Sequence, residues 1–408
     1  MVTNTENNTT GVPSVDSQPE ATQPESGVLE KGRKNLWTIV SRCDLFDALD
    51  IDRARSRPPA SEGRGDFLGK ALWVCFVLIV LSGIGLLAGY RPIVTGAFRS
   101  VEFIRTSFPF GWWLMGVHKY ATDLFMIFAI LRVCRIVFTR AYIGSGKLTW
   151  ISSLGLLAFG IISAMTGYLL IWSGNLSNTG RIGSAIFENV NTSLGLFGQG
   201  GIFTRLIFGE NGIEQNTLSS IFTWHIGLSL AVLIIVVCWR LMPRRLSPKK
   251  YHFNPFANPR MAWSIVGILT LLALFFPPPL GTPSDRILIP NPILSDWFLL
   301  GFYRFSLLVS PGNAITAFAF LAVVAVMLPW ADVGPFGRLR PSVFALASAI
   351  IVSWILLTID AITGGISGRI IFPILVIIWL LALILGVRGD IRSLGKFRRR
   401  GQSGVTGK

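Results

Sequence analysis

The chain has 408 residues, of which 51% are hydrophobic and only 14% are charged, and its 37 Lys and Arg outnumber 21 Asp and Glu to give a net charge of +16. This composition excludes a disordered chain, a collagen-like chain and a small disulfide scaffold. It argues against a soluble enzyme, since soluble domains carry roughly 25% charged residues. It indicates a membrane protein whose Lys and Arg lie in the loops of one side. No soluble domain that could bind nucleic acid is visible.

The N-terminal part of the chain is polar and precedes the apolar runs. Residues 1–34 are rich in Thr, Ser, Pro and Glu, a composition that predicts a disordered tail. No basic stretch followed by an apolar one opens the chain, so no cleaved signal peptide is expected. Residues 35–66 are predicted to form a basic interfacial segment, with a short amphipathic helix within 35–55.

Eight apolar segments follow, each close to the roughly 20 residues that a membrane crossing requires. They predict an all-α integral membrane fold with an N-terminal four-helix domain (67–245), four C-terminal helices (246–390) and a basic tail (391–408). The segments are 67–90, 112–138, 149–172, 218–240, 259–279, 312–331, 341–360 and 370–387. The longest connections are 173–217 and 280–311.

Basic residues predict the orientation of these segments. If the N-terminus is inside, the inner loops and the C-terminal tail carry most of the Lys and Arg, and the positive-inside rule then places both termini in the cytoplasm of a cell-membrane protein. The outer connections carry eight arginines: Arg91, Arg99, Arg105, Arg181, Arg205, Arg286, Arg304 and Arg369.

The chain has only three histidines, which limits any metal or haem site. His118 and His225 lie in the second and fourth apolar segments, near the same end of each. Imidazole inside a membrane is costly unless it is paired or liganded, and two facing histidines can bind one haem iron from both sides. Two such residues can equally be satisfied by ordinary structural contacts. His252 is predicted to be a surface residue.

The cysteines point to no cofactor. They have neither the spacing of covalent haem attachment nor that of a zinc site, and they are predicted to be small buried apolar residues: Cys43, Cys75, Cys134 and Cys238.

Several spaced motifs together resemble the cytochrome b and b6 family over residues 60–390, most closely the b6 type across the first four helices. The motifs are YRPIVTGAFRSVEFI (90–104), FGWWLMGVHKY (110–120), KLTW (147–150), TGYLLIW (166–172), TLSSIFTWH (217–225) and SDWF (295–298), the last similar to the family's Pro-Glu-Trp-Tyr motif.

The resemblance implies a four-helix bundle with two stacked haems b, each held by one histidine from the second helix and one from the fourth. His118 and His225 match the outer pair, Gly83 and Gly167 match glycines that let helices approach a haem, and Lys119 fits a basic residue beside the first histidine. The inner pair is missing, because the positions about fourteen residues further along hold Arg132, Trp239 and Arg240. One haem b, on the outer side, is therefore expected.

Two hypotheses concern the vacated inner site. In the first, Trp239 packs the empty volume while basic neighbours hold an anionic lipid head group. In the second, the basic side chains extend to the inner interface. The residues concerned are Lys70, Arg132, Arg135, Trp239 and Arg240.

The resemblance also places Asp296 where the family has a glutamate beside the outer quinol site. It implies a quinol pocket near Tyr168, Asp296, Trp297 and Phe298, with Asp296 accepting a proton as quinol is oxidised. Asp296 could also cap a helix that begins at Trp297. The implied partners are a Rieske iron–sulfur protein or a c-type cytochrome, within a dimeric complex. An ordinary Q-cycle is not expected, because without the inner haem an electron would have to cross roughly 20 Å with no relay, a distance judged from the helix rise.

Two other functions remain open at this point. A redox-silent scaffold would keep the fold, bind quinone or lipid, and contain no haem. A transporter would use intramembrane charges as a pathway, but the sequence shows no internal inverted repeat of the kind that many transporters have.

Overall fold

A computed structural model describes residues 67–143, 146–172, 215–246, 259–280, 296–309, 311–332, 339–363 and 368–403. The predicted tail 1–34 and interfacial segment 35–66 lie outside these residues. The described part contains ten helices: α1 (Phe67–Leu87), α2 (Ala97–Thr106), α3 (Gly111–Phe138), α4 (Lys147–Leu170), α5 (Gln215–Leu246), α6 (Pro259–Phe275), α7 (Trp297–Val309), α8 (Pro311–Ala331), α9 (Pro341–Ile362) and α10 (Gly368–Ser403).

Each of the eight predicted apolar segments is helical, which confirms the all-α membrane fold. Among the described helices, α1, α4, α5, α8, α9 and α10 are long and apolar enough to cross a membrane. The 17-residue α6 falls outside that set, as does α3, which carries Lys119, Asp123, Arg132 and Arg135. The chain is a multi-pass membrane protein.

Two shorter helices lie within segments that the hydropathy pattern treats as connections. The ten-residue α2 buries Ala97, Val101 and Ile104 on one face. The thirteen-residue α7 lies inside the predicted connection 280–311. The expectation that Arg304 lies in an outer loop is therefore wrong, as it is for Arg99 and Arg105 in α2. At about 1.5 Å per residue α7 spans about 20 Å, too short to cross the hydrocarbon and therefore too short to be predicted as a crossing.

Helices α1, α3, α4 and α5 pack in sequence, α1 on α3, α3 on α4 and α4 on α5. Their shared core includes Cys75, Phe125, Met126 and Ala164, and α6 adds Leu269. Helices α3 and α6 approach closely, because a methyl group on Gly116 would lie 2.6 Å from Cβ of Ala273. Small residues at a crossing allow such backbone contact between membrane helices.

One end of this bundle is defined by the points where α1 and α4 finish and α3 and α5 begin, and we call it the histidine end. At the opposite end, a buried ion network joins the α3–α4 connection to the C-terminal helices. Arg140 Nε donates to Oδ2 of Asp332 at 2.9 Å, and the Tyr142 hydroxyl donates to the same oxygen at 2.8 Å. Arg340 Nε lies 3.6 Å from the other carboxylate oxygen. Burial raises the pKa of the Tyr142 phenol, and its bond to Asp332 adds to the rise.

Helix α10 is longer than its predicted apolar segment. It continues as one helix to Ser403, so no helix end marks the boundary expected between residues 390 and 391. The predicted basic tail thus begins as a helical extension.

Candidate functional site

The two membrane histidines face each other across the bundle near its histidine end. His118 comes from α3 and His225 from α5, and both are half-buried. Their ring centroids are 6.3 Å apart and the ring planes are inclined by 66°. The sequence prediction that these residues form a pair thus agrees with their placement.

Each histidine is held by the same two kinds of contact from a neighbouring helix, a backbone carbonyl and a side-chain hydroxyl. His118 Nδ1 lies 3.0 Å from the carbonyl oxygen of Ile79 and 3.1 Å from Oγ of Ser82, both on α1. His225 Nδ1 lies 3.0 Å from the carbonyl oxygen of Ser163 and 3.1 Å from Oγ1 of Thr166, both on α4. The two histidines therefore have equivalent environments.

These contacts determine which ring nitrogen carries the proton. A carbonyl oxygen can only accept a hydrogen bond, so Nδ1 must donate, and the proton of a neutral imidazole then resides on Nδ1. Nε2 keeps its lone pair, and this is the nitrogen that can bind a metal when a carbonyl orients the ring. Both histidines are thus in the form suited to ligation.

A glycine lies against each ring. A methyl group added at Gly83 would lie 3.2 Å from Cε1 of His118, and one added at Gly167 would lie 2.7 Å from Cε1 of His225. Any larger residue at Gly167 would push the His225 ring away from its carbonyl partner. Gly83 and Gly167 each lie against a histidine ring here, and their predicted role in letting the helices approach a haem stays a prediction.

The pair fits a haem iron bound from both sides. With about 2 Å for each metal–nitrogen bond and about 1 Å from nitrogen to ring centre, two imidazoles on one iron have centroids about 6 Å apart. The observed separation of 6.3 Å matches this value. His118 and His225 would hold a haem iron through neutral imidazole nitrogens, which are common haem ligands.

A second group of polar residues lies beside this pair. Lys119 Nζ lies 2.8 Å from Oδ1 of Asp123 and 3.1 Å from Oδ1 of Asp296. Trp297 Nε1 donates to Oδ1 of Asp123 at 3.2 Å. Burial raises the pKa of the Asp296 carboxyl above its ordinary value, and the Lys119 ammonium opposes this rise. One ammonium therefore binds two carboxylates, and the Asp296 side chain is half-buried.

The remaining residues of the predicted quinol pocket differ in exposure. Helix α7 begins at Trp297, as expected, and the backbone carbonyl of Asp296 accepts a bond from the Leu299 N–H. Phe298 is 3% exposed and belongs to the bundle core, whereas Trp297 is 38% exposed. Tyr168 is half-buried near the end of α4.

The residues predicted to occupy the inner site lie towards the opposite end. Arg132 is half-buried and its Nε donates to Oγ of Ser153 at 2.9 Å, while Lys70 is half-buried and Arg135 is exposed. The backbone of Trp239 and Arg240 is helical, and their side chains lie outside the described part of the structure.

Sequence reasoning overlooked the residues that orient the histidines and bind the lysine. Ser82 and Thr166 each precede a glycine that contacts a histidine ring. This repeated hydroxyl-Gly pair in the first and third segments is a signal that could have identified them. Asp123 lies one helical turn after Lys119, a spacing that favours an ion pair.

Comparisons with known proteins agree with this geometry. A family model described as cytochrome b/b6/petB matches residues 64–246. Cytochrome b6 of Emiliania huxleyi is 30% identical over 158 residues, covering 39% of this chain and 71% of the relative. Cytochrome b of Cyanidium caldarium is 25% identical over 321 residues, covering 74% of this chain and 81% of the relative.

A solved structure titled "Hyperthermophilic respiratory Complex III" shares the fold, with a TM-score of 0.64 and 21% identity over 86% of this chain and 98% of that chain. The family match over α1–α5, the relatives and the facing histidines lead to one conclusion. The chain belongs to the cytochrome b/b6 family.

Proposed function

We propose that the chain is the haem b-bearing membrane subunit of a quinol-oxidising complex of the cytochrome bc type, and that it holds one haem, at its histidine end. The facing pair His118 and His225 carries this proposal, because the two ring centroids lie at the separation expected for two imidazoles on one iron, and each Nδ1 is bound to a carbonyl so that Nε2 keeps its lone pair. Haem b bound there supplies a one-electron carrier within the membrane. In the orientation given by the positive-inside rule, this end faces outward.

A second haem of the same type has no ligands available. The chain contains three histidines and two of them form the pair, so a second bis-histidine site cannot be built. Arg132, where the family's next histidine is expected, instead hydrogen bonds to Ser153, which is only 2% exposed. This contact joins α3 to α4 and supports a function without the ordinary Q-cycle.

The vacated site is proposed to bind an anionic lipid head group. Lys70, Arg132 and Arg135 supply positive charge near that end of the bundle, and Trp239 is proposed to fill the volume beside them. Extension of the same basic side chains to the interface is the competing arrangement.

Quinol is proposed to bind at the histidine end, near Tyr168, Asp296, Trp297 and Phe298. The Asp296 carboxylate is suited to accept a proton from a quinol hydroxyl, because burial raises its pKa towards the range of a working base. Lys119 holds this carboxylate through a 3.1 Å ion pair. The role in haem binding expected for Lys119 stays a prediction.

The electron acceptor is proposed to be a protein partner, a Rieske iron–sulfur protein or a c-type cytochrome, within a dimeric assembly. The fold shared with a subunit of a respiratory complex III supports this proposal. The half-buried Asp296 carboxylate and the histidine pair both lie at one end of the bundle, which supports quinol oxidation on that side of the membrane.

The decisive experiment counts haem b per polypeptide in the purified protein by pyridine haemochrome, in the wild type and in H118A, H225A and H252A. We expect one haem in the wild type and in the H252A control, and none in H118A or H225A, each with an unchanged helix content by circular dichroism. Two haems in the wild type would overturn the single-site proposal. No haem in correctly folded wild type would favour the redox-silent scaffold.

A further inference from the structure

Helix α10 extends well past the point where a membrane crossing ends. Its 36 residues correspond to about 54 Å, whereas the hydrocarbon layer is about 30 Å thick. From a polar cluster at the start of α9 we infer the level at which α10 leaves that layer. The Asp390 carboxylate accepts bonds from the Ser342 N–H at 3.2 Å and the Ser342 hydroxyl at 2.7 Å, with Arg340 Nε at 3.8 Å.

From Val387 onwards, on both sides of Asp390, the helix has two distinct faces. Arg388 and Arg392 are exposed and four residues apart, so they lie on one face. Three apolar residues on an adjacent face are also exposed, namely Val387 at 47%, Ile391 at 63% and Leu394 at 46%. The extension is therefore an amphipathic helix whose described apolar residues face outward.

The charge of the extension is strongly one-sided. Residues 387–403 contain six basic residues and one acidic residue, and the acidic one, Asp390, is bound to α9. In the sequence, Lys396 and Arg399 continue the spacing of three or four residues begun by Arg388 and Arg392. A basic stripe beside an apolar one is the pattern of helices that bind acidic membrane surfaces.

Two glycines divide the helix into a fixed part and an open part. A methyl group on Gly389 would lie 2.5 Å from Cβ of Pro341, so the helix is tightly packed against α9 at that level. A methyl group on Gly395 would meet no atom within 4 Å. Glycine inside an exposed helix weakens it, and so residues 396–403 can turn towards the bilayer at Gly395.

We propose that residues 387–403 bind the anionic phospholipid head groups of the leaflet at that end of α10. The basic face meets the phosphates, while Ile391 and Leu394 enter the boundary between head groups and acyl chains. An acidic protein is the less favoured occupant of this surface. The edge of the hydrocarbon layer is inferred to lie at Asp390, Ile391 follows it directly, and Leu394 lies only about 5 Å further along the helix. Both therefore lie at head-group depth, where a lipid surface reaches them directly.

Hydrogen exchange of the full chain in nanodiscs tests this proposal. Backbone amides of residues 391–403 would be followed by mass spectrometry in bilayers of phosphatidylcholine alone and in bilayers containing phosphatidylglycerol. We expect exchange to be roughly tenfold slower in the anionic bilayer, and the difference to disappear at high salt, because juxtamembrane Lys and Arg bind acidic lipid electrostatically.

A matched pair of variants separates this binding from a general charge effect. R388Q/R392Q removes two of the six basic residues and should clearly weaken the lipid dependence, whereas R91Q/R99Q removes the same charge from two exposed arginines at the histidine end and should leave it unchanged. Equal exchange in the two bilayers would overturn the proposal, as would a lipid dependence that R388Q/R392Q does not reduce. Protection that appears only with added polyglutamate, or only at a protein concentration that forms dimers, would assign the surface to an acidic protein or a second copy instead.

Discussion

The replacement Gly167→Ala tests whether the His225 ring is held in the position that ligation requires. The added methyl would lie 2.7 Å from Cε1, 3.3 Å from Nδ1 and 3.4 Å from Nε2 of that ring. Ordinary contacts of this kind begin at 3.4 Å, so the ring must move by about 0.7 Å. That shift would stretch the 3.0 Å bond from Nδ1 to the Ser163 carbonyl beyond hydrogen-bonding distance.

Loss of this bond costs about 1 kcal/mol, the net contribution of a typical hydrogen bond, because the Ser163 carbonyl keeps its bond from the Thr166 hydroxyl. We therefore expect the affinity for haem to fall about fivefold. The assay is haem transfer from the purified variant to an excess of apomyoglobin, followed by absorbance. Gly83→Ala should have a smaller effect, because its nearest ring atom is 3.2 Å away.

Gly155→Ala is the matched control, since it lies on the same helix α4 and its added methyl meets no atom within 4 Å. We expect it to retain haem as the wild type does. Unchanged haem retention in Gly167→Ala, or an equal loss in Gly155→Ala, would refute the reasoning.

Three further predictions concern ion pairs and protonation. The Asp360 side chain is 1% exposed in its ion pair with Arg304. R304L or D360L alone should therefore lower the free energy of unfolding by about 3–5 kcal/mol, and R304L/D360L together by much less. A double variant that loses as much stability in thermal unfolding as either single variant would contradict the pairing. Tyr142→Phe removes one bond to Asp332 and should cost about 1 kcal/mol, visible as a lower Tm, and an unchanged Tm would count against that bond. The raised pKa of Asp296 means that its base form is populated only above a pH higher than the ordinary value near 4. The rate of quinol oxidation should therefore fall as the pH drops through that raised pKa. This acidic fall in rate should be absent in D296N and present again in D296E. A pH profile of D296N like that of the wild type would exclude Asp296 as the base.

The hydropathy of the sequence was sufficient to predict the membrane helices, because crossing a bilayer imposes a length and an apolar composition that single segments display. The short helix α7 escaped this reasoning, since its thirteen apolar residues are too few to cross and its role depends on packing against α9. Helix α2 escaped it for a similar reason. Its apolar face is only three residues long and gains its stability from contact with α3.

The candidate ligands could also be predicted, because the chain has so few histidines and the surrounding motifs resemble one family. The residues that orient them could not. Ser82 and His118 are 36 residues apart, and Thr166 and His225 are 59 apart, so their contacts depend on how the four helices are rotated about their axes. A hydroxyl in an apolar helix has many possible partners, and local sequence does not select one.

The ion pairs could not be predicted from local sequence either. Lys119 and Asp296 lie in different halves of the chain, as do Arg140 and Asp332, and each pair comes within 3.1 Å only when the N-terminal bundle packs on the C-terminal helices. By itself the sequence determined the membrane class and the family and predicted the two candidate ligands, because these depend on composition and local motifs. The tertiary structure alone decided the tautomer of each histidine and the partners of each buried charge, because hydrogen bonds and ion pairs require atoms from distant segments to meet within about 3 Å.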